Sequence, residues 1–200
     1  VQNLVLGVAQ PFTGMIADRF GSMRVIAAGL ALFAGGLALM AQAASPVEFA
    51  LTAGVCVGLA LAASSFGVVY GALSRIVSHA RRSSALGLAG AIGGLGQFFP
   101  VPATLGLIDG LGWAGALIAL ACACAALIPF ARPLRDRPVA QEASRPSLRG
   151  AIGEAFRHRG FLLLNAGFLA CGFQLAFVAT HLPAYLADKG LSARDAMAGL

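Results

Sequence analysis

Four stretches of this chain, Val25–Ala44, Phe49–Ser74, Ala85–Ile108 and Trp113–Ala131, run without a single charged residue. Each has close to the roughly 20 apolar residues that an α-helix needs to cross a bilayer. Phe161–Ala187 is another such run, Val1–Ala17 reads as the second part of a span, and Ala196–Leu200 as the first turn of one more. In hydrocarbon every backbone N–H and C=O has to be satisfied within the chain, which for apolar segments of this length means helices. The sequence therefore predicts an all-α membrane protein that crosses the bilayer repeatedly. A start without methionine and a stop at the opening of a helix lead us to expect a fragment.

Composition agrees: 58% of the residues are hydrophobic, 11% are charged and 26 are glycine, against roughly 25% charged in a soluble domain. The net charge of +6 raises the question of nucleic acid, and the positions of the charges answer it. Two arginines (Arg19, Arg24) fall in the first loop, three (Arg75, Arg81, Arg82) in the third and seven in the fifth, which is twelve of the fourteen basic residues. The second and fourth loops, Gln42–Glu48 and Asp109–Gly112, have none. Basic residues on alternate loops obey the positive-inside rule, so those loops are expected in the cytoplasm. No soluble basic face of the kind DNA requires is present. Cys56, Cys122, Cys124 and Cys171 all lie in apolar runs. Cys122 and Cys124, two apart on a helix, point away from each other and read as small packing residues rather than a metal pair.

The fifth loop, from about Arg132 to Arg159, is rich in proline and arginine and separates two blocks of helices. Within it Leu148, Ile152, Ala155 and Phe156 recur at helical spacing among Arg149, Arg157 and Arg159. Two readings stay open: a short helix on the membrane surface, with its arginines near lipid phosphates, or a disordered basic linker.

The first loop carries the most specific pattern. Gly14, Asp18, Arg19, Gly21 and Arg24 fit G-x-x-x-D-[RK]-x-G-x-[RK]-[RK], with Met23 replacing the first of the closing basic pair. That pattern resembles the loop signature of the major facilitator superfamily, whose two six-helix halves are joined by a long cytoplasmic loop. The resemblance implies a partial fold of that type, from part of helix two to the start of helix eight of twelve. Residues 1–131 would then form the N-terminal bundle, 132–159 the cytoplasmic linker and 160–200 the start of the C-terminal bundle. It also implies a latch role for Asp18, Arg19 and Arg24, favouring the outward-open state. A carboxylate at a helix C-terminus opposes the macrodipole, so Asp18 calls for an outside partner: a neighbouring helix N-terminus or an arginine, Arg75 being placed for it. Gly14, one turn above Asp18, is expected to let another helix approach closely.

Among polar groups inside the runs, Ser65, Tyr70, Gln97, Gln174 and His181 are the candidates for a substrate cavity; hydrogen bonding between helices is the competing reading. Gln174 and His181 are seven apart and share a helix face. Gln97, Pro100 and Pro102 are expected to interrupt their helix. Gly54 with Gly58 and Gly90 with Gly94 offer close-packing surfaces. The segments Ser65–Arg75, Gly96–Pro102 and Cys171–Phe177 look similar to bacterial relatives of monocarboxylate transporters and oxalate/formate exchangers. By that resemblance the chain is a secondary active transporter and not an enzyme, an expected monomer in a bacterial cytoplasmic membrane, in contact with membrane lipid. It would move a small organic anion by alternating access coupled to protons, with no cofactor, metal or nucleic acid. A drug or metabolite efflux antiporter, or a transporter-like solute sensor, is the alternative.

Overall fold

A computed structural model of the protein describes residues 1–134 and 148–190. The expected start of helix eight, Ala196–Leu200, lies outside the described residues, as does most of the proline- and arginine-rich part of the fifth loop. The described elements are helical throughout, and the chain divides into two compact units, Val1–Ala140 and Gln141–Leu200.

In the first unit, α1 (Gln2–Phe20) and α2 (Ser22–Met40) are joined by Gly21 alone. Gly21 sits at φ 91° and ψ 140°, a conformation that a side chain disfavours. Its N–H closes the end of α1 on the Ala17 carbonyl at 2.9 Å. After the turn at Ala41–Ser45 the chain re-enters a helix through a built start. Ser45 Oγ accepts from the Glu48 N–H at 3.2 Å, Pro46 occupies the first turn, and Glu48 Oε2 accepts from the Ala44 N–H at 2.8 Å. The helix then runs as α3 (Pro46–Phe49), a π-helical segment (Ala50–Cys56) and α4 (Val57–Ala63).

The apolar run Phe49–Ser74, which the sequence presents as one span, is broken in its middle. Ser64 (φ −105°, ψ 16°) and Ser65 (φ −65°, ψ 158°) leave the helix, and α5 (Phe66–Ile76) starts afresh. Ser64 Oγ donates to the Ala60 carbonyl at 2.8 Å, a local bond of the kind that competes with helical pairing.

By contrast, the interruption expected at Gln97–Pro102 is slight. Between α6 (His79–Phe98) and α7 (Pro100–Leu127), Phe99 keeps helical angles (φ −67°, ψ −39°) and its N–H still reaches the Leu95 carbonyl at 3.2 Å. Pro100 falls in a first turn, where its missing N–H costs little. The sharp turn comes at Gly112, φ 70° and ψ 176°, which divides α7 directly, with helical residues on both sides. A short 3-10 helix (Ile128–Leu134) follows.

Among the described residues, four stretches are long and apolar enough to cross a membrane: Ser22–Met40, Pro46–Ile76, Pro102–Leu134 and Arg159–Leu186. The expected span Ala85–Ile108 is not among them as such. It is shared between α6, whose opening residues His79–Ser84 include Arg81 and Arg82, and the start of α7.

Helix α2 lies at the centre of the first unit, against α1, α4, α5 and α7. Its two ends define two clusters. At the first, Ala17, Val25, Ile26, Val68 and Ala131 are buried together, with Met23 and Leu134 packed on them. At the other, Leu37, Leu117 and Ala121 are buried beside Met40 and Ala41. The first cluster lies beside the first loop and the opening of the fifth, with Val68 of α5 packed in, and the second lies beside turns that carry no basic residue. The interior is built of small residues: Ala60, Ala62 and Ala72 are fully buried, while Leu88, Ile92 and Leu95 of α6 are 58–62% exposed. This is the arrangement of helices that associate in lipid by close packing.

The second unit contains α8 (Leu148–Arg157) and α9 (Arg159–Asp188), with only His158 between them.

Candidate functional site: a charged clamp beside a broken helix

The signature loop and the end of the broken span meet in one cluster. Asp18 occupies the last turn of α1, Ser22 opens α2, and Arg75 lies in the last turn of α5. Arg75 Nη1 donates to Asp18 Oδ1 at 2.9 Å, and Arg75 Nη2 donates to Ser22 Oγ at 2.5 Å. One guanidinium thus ties three helices, using its planar fork on two acceptors. The placement is electrostatically favourable for Arg75, a cation at a helix C-terminus, and it offsets the unfavourable position of Asp18 at another. Asp18 remains 43% exposed and Arg75 24%, so water still screens the pair, whereas Ser22 is fully buried.

Ser22 was not legible as a participant, because it fills an unspecified position of the loop pattern. The residue's burial at the start of α2 is what makes its hydroxyl useful. The Met23 departure from the pattern has a packing reason: its side chain lies against the cluster of Ala17, Val25, Ile26, Val68 and Ala131, where a cation would be desolvated. Arg19 and Arg24 are exposed, Arg19 lying 5.3 Å from the centre of the Phe20 ring. Gly14 does not do what was expected of it within this unit. No described atom comes within 4 Å of where its side chain would be. Close approach to α1 occurs near its start instead. A side chain at Gly54 would meet Val1 at 2.9 Å, and one at Gly58 would meet Val5 and the Gln2 carbonyl at 3.0 Å.

One helix length from the clamp, the break at Ser64–Ser65 is gripped from two sides. Thr13 Oγ1 of α1 donates to the Ala62 carbonyl at 3.0 Å, and a side chain at Gly29 of α2 would fall 2.8 Å from Ala63 Cβ. Beyond the break, α5 presses two aromatic rings into glycine notches of α6. Phe66 lies where a side chain at Gly93 would go, and the Tyr70 hydroxyl stands 2.9 Å from the place of one at Gly90. The rings themselves are 5.4 Å apart. The partner of Gly90 in this packing is thus Gly93, since Gly94 has no neighbour within 4 Å.

Of the cavity candidates, Ser65 lies at the break and half-buried Tyr70 is packed on α6. Gln97 falls outside the residues whose side chains are described. Gln174 and His181 are exposed on α9 of the second unit, with the Phe177 ring 4.7 Å from His181 and 6.3 Å from Phe173.

These features define a class: a multi-pass helical membrane protein in which the ends of α1, α2 and α5 that carry arginines are tied together by an ion pair. The particular family follows from sequence comparison. The chain belongs to the Major Facilitator Superfamily, whose family profile it matches over residues 1–200. It is 30% identical to "Monocarboxylate transporter 11" of Mus musculus over 199 residues, covering 96% of this chain and 44% of that protein. With "Monocarboxylate transporter 13" of Bos taurus the identity is 29% over 182 residues, 90% of this chain and 42% of the relative. With "Probable nitrate/nitrite transporter NarK2" of Mycobacterium tuberculosis (strain ATCC 25618 / H37Rv) it is 34% over 149 residues, 69% and 35% respectively. The chain thus spans less than half the length of these relatives. No solved structure matches it at a significant level.

Proposed function

We propose that the protein is a secondary active transporter that moves a small monovalent organic anion, a monocarboxylate, by alternating access driven by a proton gradient. The observation that carries this reading is the clamp of Asp18, Ser22 and Arg75, built on the family's loop signature. A charge-paired closure at one end of a helical bundle has to form and break as a cavity opens to alternate sides. The anion is supported by the relatives, which are named for monocarboxylate or for nitrate and nitrite, both small monovalent anions. In this reading Asp18, Arg19 and Arg24 with Gly14 and Gly21 form the cytoplasmic latch, and Ser65, Tyr70, Gln97, Gln174 and His181 line the path. Residues 1–131 are the N-terminal bundle, 132–159 the cytoplasmic linker and 160–200 the start of the second bundle, in the cytoplasmic membrane of a bacterium.

The test is uptake of labelled monocarboxylates into proteoliposomes, with and without an imposed proton gradient. Gradient-dependent accumulation that Gln174→Ala weakens through KM supports the reading. Export of cationic dyes with no carboxylate uptake rejects it.

A further inference from the structure

The geometry points to α8 as a membrane-surface helix that docks on anionic phospholipid. Three observations lead there. First, α8 is not a free segment: it joins the membrane-spanning α9 through His158 alone, and that elbow is built. The Phe161 and Leu162 N–H groups bond to the His158 carbonyl at 3.0 and 3.2 Å, so His158 starts α9. Its ring lies against Gly160, where a side chain would meet Cε1 at 3.1 Å. Across the corner Phe156 and Phe161 meet edge to face at 6.0 Å. Because α9 is apolar enough to span, its first turn lies at the membrane boundary, and a helix fixed to that turn lies there too.

Second, the ten residues of α8 carry Leu148, Ile152, Ala155 and Phe156 at helical spacing, and Phe156 is 64% exposed. Third, Arg157, His158 and Arg159 are consecutive and all exposed at the elbow, Arg149 stands near the other end of α8 in the sequence, and Glu154 is the one acid in α8. An apolar stripe flanked by arginines at the boundary layer fits acyl chains on one side and lipid phosphates on the other. A neutral lipid surface would satisfy the stripe and leave the arginines without a counter-charge. The occupant is therefore an anionic leaflet.

The experiment uses the full protein in nanodiscs, with Cys56, Cys122, Cys124 and Cys171 replaced and a spin label at Phe156→Cys or, separately, at Glu154→Cys. Discs of phosphatidylcholine are compared with discs containing phosphatidylglycerol. Collision with oxygen reports lipid burial, and collision with a nickel chelate reports water. Oxygen is expected to dominate at 156 and nickel at 154, with 156 moving deeper when phosphatidylglycerol is present. Arg157→Gln and Arg159→Gln should each lower the lipid-buried fraction about fivefold, and Arg157→Lys should restore it. Three results overturn the proposal: nickel access at 156 in both discs, no response to lipid charge or to loss of the arginines, or protection of both positions from both reagents, which means that protein covers the helix.

Discussion

Removing the carboxylate at position 18 should unlock the bundle at its arginine-bearing end, and the structure bounds the size of the effect. With the Asp18–Arg75 contact at 2.9 Å, the charge centres are about 4 Å apart. Their attraction is then about 1 kcal/mol at the dielectric of water and about 4 kcal/mol at an effective value of 20. Exposure of 43% and 24% places the pair toward the lower figure. The bond from Arg75 to buried Ser22 holds the guanidinium in place and lowers the entropy cost of pairing. The net contribution is about 1–2 kcal/mol, a factor of about 5–30 in a two-state ratio. Asp18→Asn should therefore raise the open fraction by that factor. A cysteine at fully buried Ala72, on α5 beside α1, reports it through its rate of modification by a membrane-impermeant maleimide added at the arginine-bearing face, once the native cysteines are replaced. Arg75→Gln should give a similar acceleration, and the double variant no more than the larger of the two. Unchanged rates, or effects of the two substitutions that multiply, would refute the clamp.

Two further outcomes follow from the broken span. Gly93→Ala places a methyl group on the Phe66 ring and should destabilise the detergent-solubilised protein by about 1–3 kcal/mol; Phe66→Leu in the same chain should recover most of the loss, as read by thermal unfolding. Thr13→Val removes the donor to the Ala62 carbonyl and should cost about 0.6–1.7 kcal/mol, with faster hydrogen exchange at Ser64–Phe66; equal exchange rates would show that the clasp does not hold the break.

What the sequence disclosed and what it hid divide along physical lines. Gly21 was legible because a turn with positive φ between two charge-bearing helix ends needs glycine, and the alternation of arginine-rich loops was legible because basic residues in short loops favour one side of the bilayer. The break at Ser64–Ser65 was not. Two serines inside an apolar run read as an ordinary span, since a helix surrounded by lipid and protein carries no amphipathic period to interrupt. Ser22 and Met23 were hidden for another reason. Their roles depend on which way each side chain of one turn faces, and that is set by α5 and the 3-10 helix, residues distant in sequence. Gly14 shows the opposite case: the pattern suggests close contact, and no described atom of the first unit lies within 4 Å of the place of its side chain.

The ion pair between Asp18 and Arg75 joins residues 57 apart, and this separation has a meaning in time. At a synthesis rate of about 5–20 residues per second, the carboxylate leaves the ribosome about 3–11 seconds before its partner exists. During that interval Ser22–Met40 has to be placed across the membrane while Asp18 stands with no arginine opposite it. A residue destined for deep burial would resist that step. Asp18, which keeps 43% of its surface in the finished bundle, can wait in the headgroup layer and be captured when α5 arrives. The clamp can therefore close as soon as α5 is in place, before α6 and α7 follow, and its formation marks the point at which the arginine-bearing ends of α1, α2 and α5 have been placed on the same side.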